Sequence, residues 1–259
     1  MIYVTVPGDT VSSISRQSGV PVWKIIYDNQ LGEEGELTVG QALLLLKPQE
    51  SAEIREDLYV TGYAYPFIEP YVLEMAFPAL NELLVFSYGF TFEGELVPPI
   101  QDETWMIQLA WENGIEPMLV LTPFTQGVCN TQLIQTLVEE ESVRENVITN
   151  LLKVVEEKGY VGVDVDFEYV RAQNREGYAE FVGELRAAMN EKGYRVSVAL
   201  APKTSSDQKG LLYEGIDYAL LGEQADRLFL MTYEWGYSYG PPMAVAPLTK
   251  VRQVVEYAL

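Results

Sequence analysis

Gly162-Val163-Asp164-Val165-Asp166-Phe167-Glu168 alternates apolar side chains with acids. Successive side chains on a strand point to opposite faces, so Asp164, Asp166 and Glu168 share one face, spaced by about 6.6 Å per residue pair. Three neighbouring carboxylates repel one another. Crowding of this kind raises carboxyl pKa values, and one of the three is expected to keep its proton near neutral pH and to serve as an acid. An antiparallel strand with a solvated acidic face is the plain alternative, but the flanking sequence reads as a buried parallel strand. The row is therefore read as a site.

Outward from this strand the chain repeats a beat of apolar strand, loop and amphipathic helix. Strands are expected near 58–65, 82–88, 116–122, 160–168, 194–201 and 226–233, with helices around 71–80, 104–113, 143–158, 175–192 and 215–224. That alternation predicts an α/β fold with a parallel sheet covered by helices. An open doubly wound sheet and a closed (β/α)8 barrel compete. No Gly-x-Gly-x-x-Gly or phosphate loop follows the first strand, whereas polar and aromatic residues stand at the C-terminal end of nearly every strand, as a barrel's rim requires. A TIM-type barrel is expected. Only six of its eight strands are legible before Leu259, so it reads as truncated after the sixth.

Composition bounds the chemistry. The 259 residues are 48% hydrophobic and 21% charged, as in an ordinary globular protein. Thirty-eight acids against 17 Lys and Arg leave a formal charge of −21, which opposes nucleic acid and anionic membrane surfaces as partners. No apolar run is long enough to span a bilayer, and the N-terminus enters structured sequence without a secretory signal, so synthesis in the cytoplasm is expected. Histidine is absent, which removes Ser-His-Asp and Cys-His catalysis and the usual zinc sites. Cys129 is the single cysteine and is expected to be a small buried hydrophobe. Carboxylates and tyrosines remain as the reactive repertoire.

Residues 1–48 form a compact set of signals: a strand at 3–6, a helix at 11–18 capped by Asp9 or Thr10, a second helix at 22–29, a polar loop at 32–36 and a strand at 42–46. Gly8-Asp9-Thr10, Ile14, Val20-Pro21, Ile25, Asn29, Leu37, Gly40-Gln41 and Leu43 together resemble the LysM module, a small βααβ unit. That resemblance implies a grip on N-acetylglucosamine chains of peptidoglycan or chitin, with Gly8, Asp9 and Thr10 on one side and the loop containing Gly32 and Glu33 on the other. Residues 49–57 are acidic and polar and read as a linker, leaving 58–259 for the barrel.

The fourth-strand stretch Asp164-Val165-Asp166-Phe167-Glu168 resembles the Asp-x-Asp-x-Glu signature of family 18 glycoside hydrolases. Met231-Thr232-Tyr233-Glu234-Trp235, on the sixth strand, resembles that family's Met-x-Tyr-Asp element. With the N-terminal module, the chain looks most like bacterial spore-cortex-lytic N-acetylglucosaminidases. The resemblance implies a substrate-assisted, retaining hydrolysis in which the sugar's own acetamido oxygen attacks. Glu168 would be general acid and base, Asp166 would orient the acetamido group, Asp164 would share its proton, and Tyr233 would donate to the acetamido oxygen. Tyr63, Tyr65, Phe86, Tyr88, Trp235 and Tyr237 offer faces on which sugars could stack or could simply fill space; Met231, Ala201 and Pro202 would shape the pocket floor. Glu234 stands one methylene longer than the family's aspartate and is a sugar-binding candidate.

No cofactor and no metal is implied by that chemistry, although an acidic row can also hold Mg²⁺ or Ca²⁺. A catalytically silent carbohydrate-binding protein is a further alternative, as is chitin in place of peptidoglycan. Association with the spore coat or cortex is expected from the resemblance. Oligomeric state is not legible.

Overall fold

The computed structural model describes all residues except 33–34, 48–57, 126–127, 237–238 and 241–242. Glu33, Tyr237 and the expected linker therefore lie outside the described residues, as does the side chain of Cys129. The chain divides into two compact units, Met1–Leu58 and Tyr59–Leu259.

In the first unit, β1 (Ile2–Val4) pairs antiparallel with β2 (Ala42–Leu44), and helices α1 (Val11–Ser18) and α2 (Val22–Asp28) pack between them in sequence. Apolar positions on both helices meet on Ile14, Val20, Ile25, Leu43 and Leu45, which form the unit's core. Thr10 starts α1 with a reciprocal cap: its hydroxyl accepts from Ser13 N at 3.0 Å while its own N–H donates to Ser13 Oγ at 2.9 Å. Gly19 ends the helix in the left-handed conformation at φ 74°. Asn29 ties α2 to β2, because its amide donates to Ile25 O and Leu44 O at 2.9 Å and its oxygen accepts from Leu44 N at 2.6 Å. Asn29→Ala leaves those backbone groups unpartnered. It is expected to cost about 1–3 kcal/mol and to speed amide exchange at Leu44, read by hydrogen-exchange NMR; unchanged exchange would remove Asn29 from that role.

In the second unit six parallel strands lie side by side in chain order: β3 (Thr61–Ala64), β4 (Glu82–Phe90), β6 (Glu116–Leu121), β9 (Gly162–Val165), β10 (Arg195–Leu200) and β11 (Arg227–Leu230). Between them run α3 (Pro70–Ala76), β5 (Leu96–Val97), α4 (Thr104–Glu112), the β7 (Phe124–Thr125) and β8 (Val128–Cys129) hairpin, α5 (Thr131–Glu139) and α6 (Glu141–Lys158). After β9 come α7 (Arg175–Asn190), α8 (Tyr218–Gln224) and, last, α9 (Leu248–Ala258). The sheet is a curled half-barrel, the (β/α) architecture truncated after its sixth strand. The main core lies between strands and helices, while Leu84, Met118 and Val120 with Tyr63, Phe86 and Val161 fill the concave face. Sequence periodicity missed α5 and the short β5, β7 and β8 strands, which are too brief to show a period.

One close contact seats the strand that carries the acids, and a polar network ties the other five strands to one another. Gly162, at its start, lies so close to β10 that an added Cβ would stand 2.1 Å from Arg195 O. At the N-terminal ends of the strands, buried Glu82 accepts from Arg227 at 2.6 Å, Thr61 Oγ1 at 3.1 Å and Arg195 at 3.2 Å, and Arg195 also bonds Glu116 at 2.6 Å. This network ties the first residues of five of the six strands at the end opposite the acids.

Candidate active site

The hydrogen-bonded part of β9 ends at Val165, short of the expected 160–168. Asp166 adds one further rung, its N–H donating to Leu121 O at 2.9 Å; Phe167 and Glu168 run past the neighbouring strands. The alternation nevertheless persists. Phe167 is buried in the helix-side core, stacked on Tyr178 at 5.4 Å and Phe90 at 5.9 Å, which anchors the backbone between the two acids it separates.

Asp164 is fully buried and held on both oxygens: Tyr63 OH donates to one at 2.8 Å and Ser197 Oγ donates to the other. Burial pushes its pKa up to about 6, against the lowering effect of those two donors. Asp166 rises to about 7, first through burial and then through the neighbouring Asp164 and Glu168 charges. Its Oδ1 is buried with no hydrogen-bond partner among the described residues, an acceptor free for an incoming N–H donor. The Glu168 pKa is raised by burial and next by the charge of Glu234. Desolvation leads in all three cases, and the mutual repulsion read from the sequence adds to it only at Asp166.

Tyr233 lies near the same charges: its pKa is raised by burial and then by Asp166, Glu234, Glu168 and Asp164, and its side chain is 40% exposed. Among the described residues three non-glycine residues have positive φ, and two of them, Tyr169 and Glu234 at 57°, directly follow Glu168 and Tyr233. Left-handed backbone at such residues is uncommon and gathers at functional sites. Neither Tyr169 nor Ser197 carried a sequence signal.

Other expected site residues fall differently. Tyr88 is 3% exposed and sits in the helix-side core, where its hydroxyl donates to Glu103 at 2.5 Å. The reason is a register shift between Val85 and Tyr88 that turns Phe86 to the concave face and Tyr88 away from it, so Tyr88 is corrected from sugar contact to core. Trp235 packs against the main core, donates to Thr232 O at 3.2 Å and carries Lys250 over its ring at 5.6 Å, which removes it as an open platform. The Tyr63 hydroxyl is spent on Asp164, making it a positioning group. Met231 continues the ladder by donating to Leu200 O at 3.0 Å, and Glu234 is exposed. In the first unit Asp9 closes its own loop, accepting from Tyr3 OH at 2.9 Å and Val6 N at 2.8 Å, while Gly8 takes φ 92°. Among the described residues no cluster of three or more acids or cysteines is arranged to hold a metal.

The Asp164 and Asp166 values carry a stability prediction. Both lie above the ordinary 3.8, so the folded chain binds more protons than the unfolded one between roughly pH 4 and pH 7. Their contribution is full below pH 4 and is lost as pH rises through 6 and 7, the two titrating as a coupled pair. Asp166→Asn is expected to melt several degrees above the parent at pH 8 and level with it at pH 4; parallel melting curves across that range would overturn the buried protonated state.

The model for glycosyl hydrolases family 18 matches residues 127–258. The chain belongs to that family. The LysM domain model matches residues 3–45. Among the relatives, the cortical fragment-lytic enzyme of Bacillus subtilis is 38% identical over 185 residues, covering 71% of this chain and 42% of that protein. The crystal structure of the Bacillus cereus spore cortex-lytic enzyme SleL superposes with a TM-score of 0.72 at 31% identity, covering 99% of this chain and 59% of that one. A chitinase from Chromobacterium violaceum shares the fold, at TM-score 0.71 and 22% identity. The chain thus spans about half the length of these relatives. No helix among the described residues is long and apolar enough to cross a membrane.

Proposed function

We propose that this chain is the glycan-binding and catalytic part of a bacterial N-acetylglucosaminidase that hydrolyses spore-cortex peptidoglycan. Residues 1–48 would hold the polymer through Gly8, Asp9, Thr10, Gly32 and Glu33, residues 49–57 would link the units, and residues 58–259 would cut. Association with the spore coat or cortex would fit the cortex-lytic and sporulation names of its relatives. One observation carries the catalytic reading: the anchored Asp164 behind Asp166, whose buried Oδ1 is a free acceptor, followed along the strand by a half-buried Glu168.

The chemistry follows from those environments. The acetamido oxygen of the sugar attacks its own anomeric carbon, the bond to the leaving oxygen breaks, and Glu168 gives that oxygen its proton. Raised pKa values keep Glu168 a better acid source near neutrality than an ordinary carboxyl. Asp166 accepts from the acetamido N–H and balances the oxazolinium charge, with the pair's proton lying between it and Asp164. Tyr233 donates to the acetamido oxygen and holds it under the anomeric carbon. Glu168, now a carboxylate, takes a proton from the water that opens the oxazolinium ion, and configuration is retained.

Digestion of cortex fragments by the chain extended to a full barrel, with new reducing ends read by mass spectrometry, tests the proposal. Termini at N-acetylglucosamine support it. Cleavage of chitin oligomers alone would move the substrate to chitin, and cleavage of neither, with binding retained, would make the protein a carbohydrate-binding one.

A further inference from the structure

Glu168 stands past the last rung of the β9 ladder, so strand pairing alone does not fix where its carboxyl lies. Buried neighbours hold it from both sides. Phe167 precedes it in the helix-side core, and Val170, two residues further on, is buried in the same core, with the left-handed Tyr169 between. Val170 in turn is met by Gly215, where an added Cβ would stand 2.0 Å from Val170 O. No side chain fits at that contact.

Gly215 lies near the end of the connection that leaves β10 and returns to α8, and Lys203, at its start, draws that connection shut. The Lys203 ammonium donates to Ile216 O at 2.6 Å and to Ser206 O at 3.4 Å. Tyr218 reinforces the neck, since its hydroxyl donates to Ala201 O at 2.7 Å and accepts from Lys203 N at 3.0 Å. The two ends of the loop thereby meet, as in compact surface loops that close on themselves. Lys203 is 3% exposed, and an ammonium that gives up its water is ordinarily repaid by a bonded carboxylate. Here both bonds go to backbone carbonyls. Burial lowers its pKa; the Asp217 and Asp207 charges act against that and the Arg175 charge acts with it. Buried charge is a poor source of fold stability, so the lysine points to a positional role.

We propose that Lys203 is a positioning residue for the general acid: by drawing Ile216 inward it seats Gly215 on Val170, and so sets the reach of Glu168 toward the leaving oxygen. The inference rests on the glycosidase reading and adds a member to that site.

Lys203→Met keeps an unbranched stem and loses the ammonium, whereas Gly215→Ala disturbs the same contact with Lys203 intact. In the 259-residue chain Lys203→Met is expected to shift the Tyr169 and Val170 amide resonances and to leave that of Leu73, in α3, in place. In the chain extended to a full barrel each variant should lower kcat on an N-acetylglucosamine oligomer by about ten- to a hundredfold, the scale of a displacement near 1 Å, with KM within about threefold. The double variant is expected to be no slower than the slower single one, because both act through one contact. Parental kcat in Lys203→Met, losses that multiply in the double variant, or unmoved Tyr169 and Val170 resonances overturn the positioning role and leave the glycosidase reading standing. If Gly215→Ala does not fold, Lys203→Met decides alone by its kcat and its resonances. A parent that cuts no glycan overturns the glycosidase reading, and this role with it.

Discussion

Glu168→Gln is expected to lower hydrolysis of N-acetylglucosamine glycans by about 10²–10⁴-fold, the range a positioned general acid contributes. Glutamine keeps the shape and the hydrogen bonding but has no proton to give. Both chemical steps fail together, since the same residue later activates water. Glycan binding is expected to persist, because the N-terminal unit does not involve Glu168. The comparison is best made in the chain extended to a full barrel, with kcat and dissociation constants measured on one oligomer. A variant that retained parent kcat would end the assignment of Glu168 as the acid.

The second large effect concerns the barrel's open side. Among the described residues β3 and β11 each pair with one parallel neighbour, and β11 leads directly to Met231, Thr232 and Tyr233. The strand that aims Tyr233 is thus an edge strand, with Leu228, Phe229 and Leu230 only partly covered. Edge strands of this kind are free to fray and to pair with other chains. A displacement of about 1 Å at a catalytic group can cost about a hundredfold in rate. The 259-residue chain is therefore expected to have a kcat/KM at least about a hundredfold below that of the same chain lengthened by two β/α repeats. Equal values would show that six strands already hold Tyr233 in place.

Some of this architecture was readable from local pattern alone. The α1 helix, with Thr10 as its cap, and the six parallel strands follow from apolar periodicity, cap residues and turn glycines, all of which act over a few neighbouring residues. The alternation through Glu168 likewise survives beyond the end of the ladder, because Phe167 has a core to enter and the acids do not. Strict alternation failed at Tyr88, where one extra residue in β4 exchanged the two faces of the strand. No local pattern announces that extra residue; it shows only when β4 is laid against β6.

The acidic row, the candidate catalytic residue types and the strand-helix order were determined by the sequence itself, since each depends on spacing within one segment. The proton affinity of the row was decided by tertiary structure, because it depends on how much water β9 loses and on Tyr63 and Ser197, which lie 101 and 33 positions away in the chain. The same holds for the Glu82 network, whose members come from strands that meet only in the folded sheet. Desolvation and long-range contact are properties of the folded packing, and no single segment encodes them.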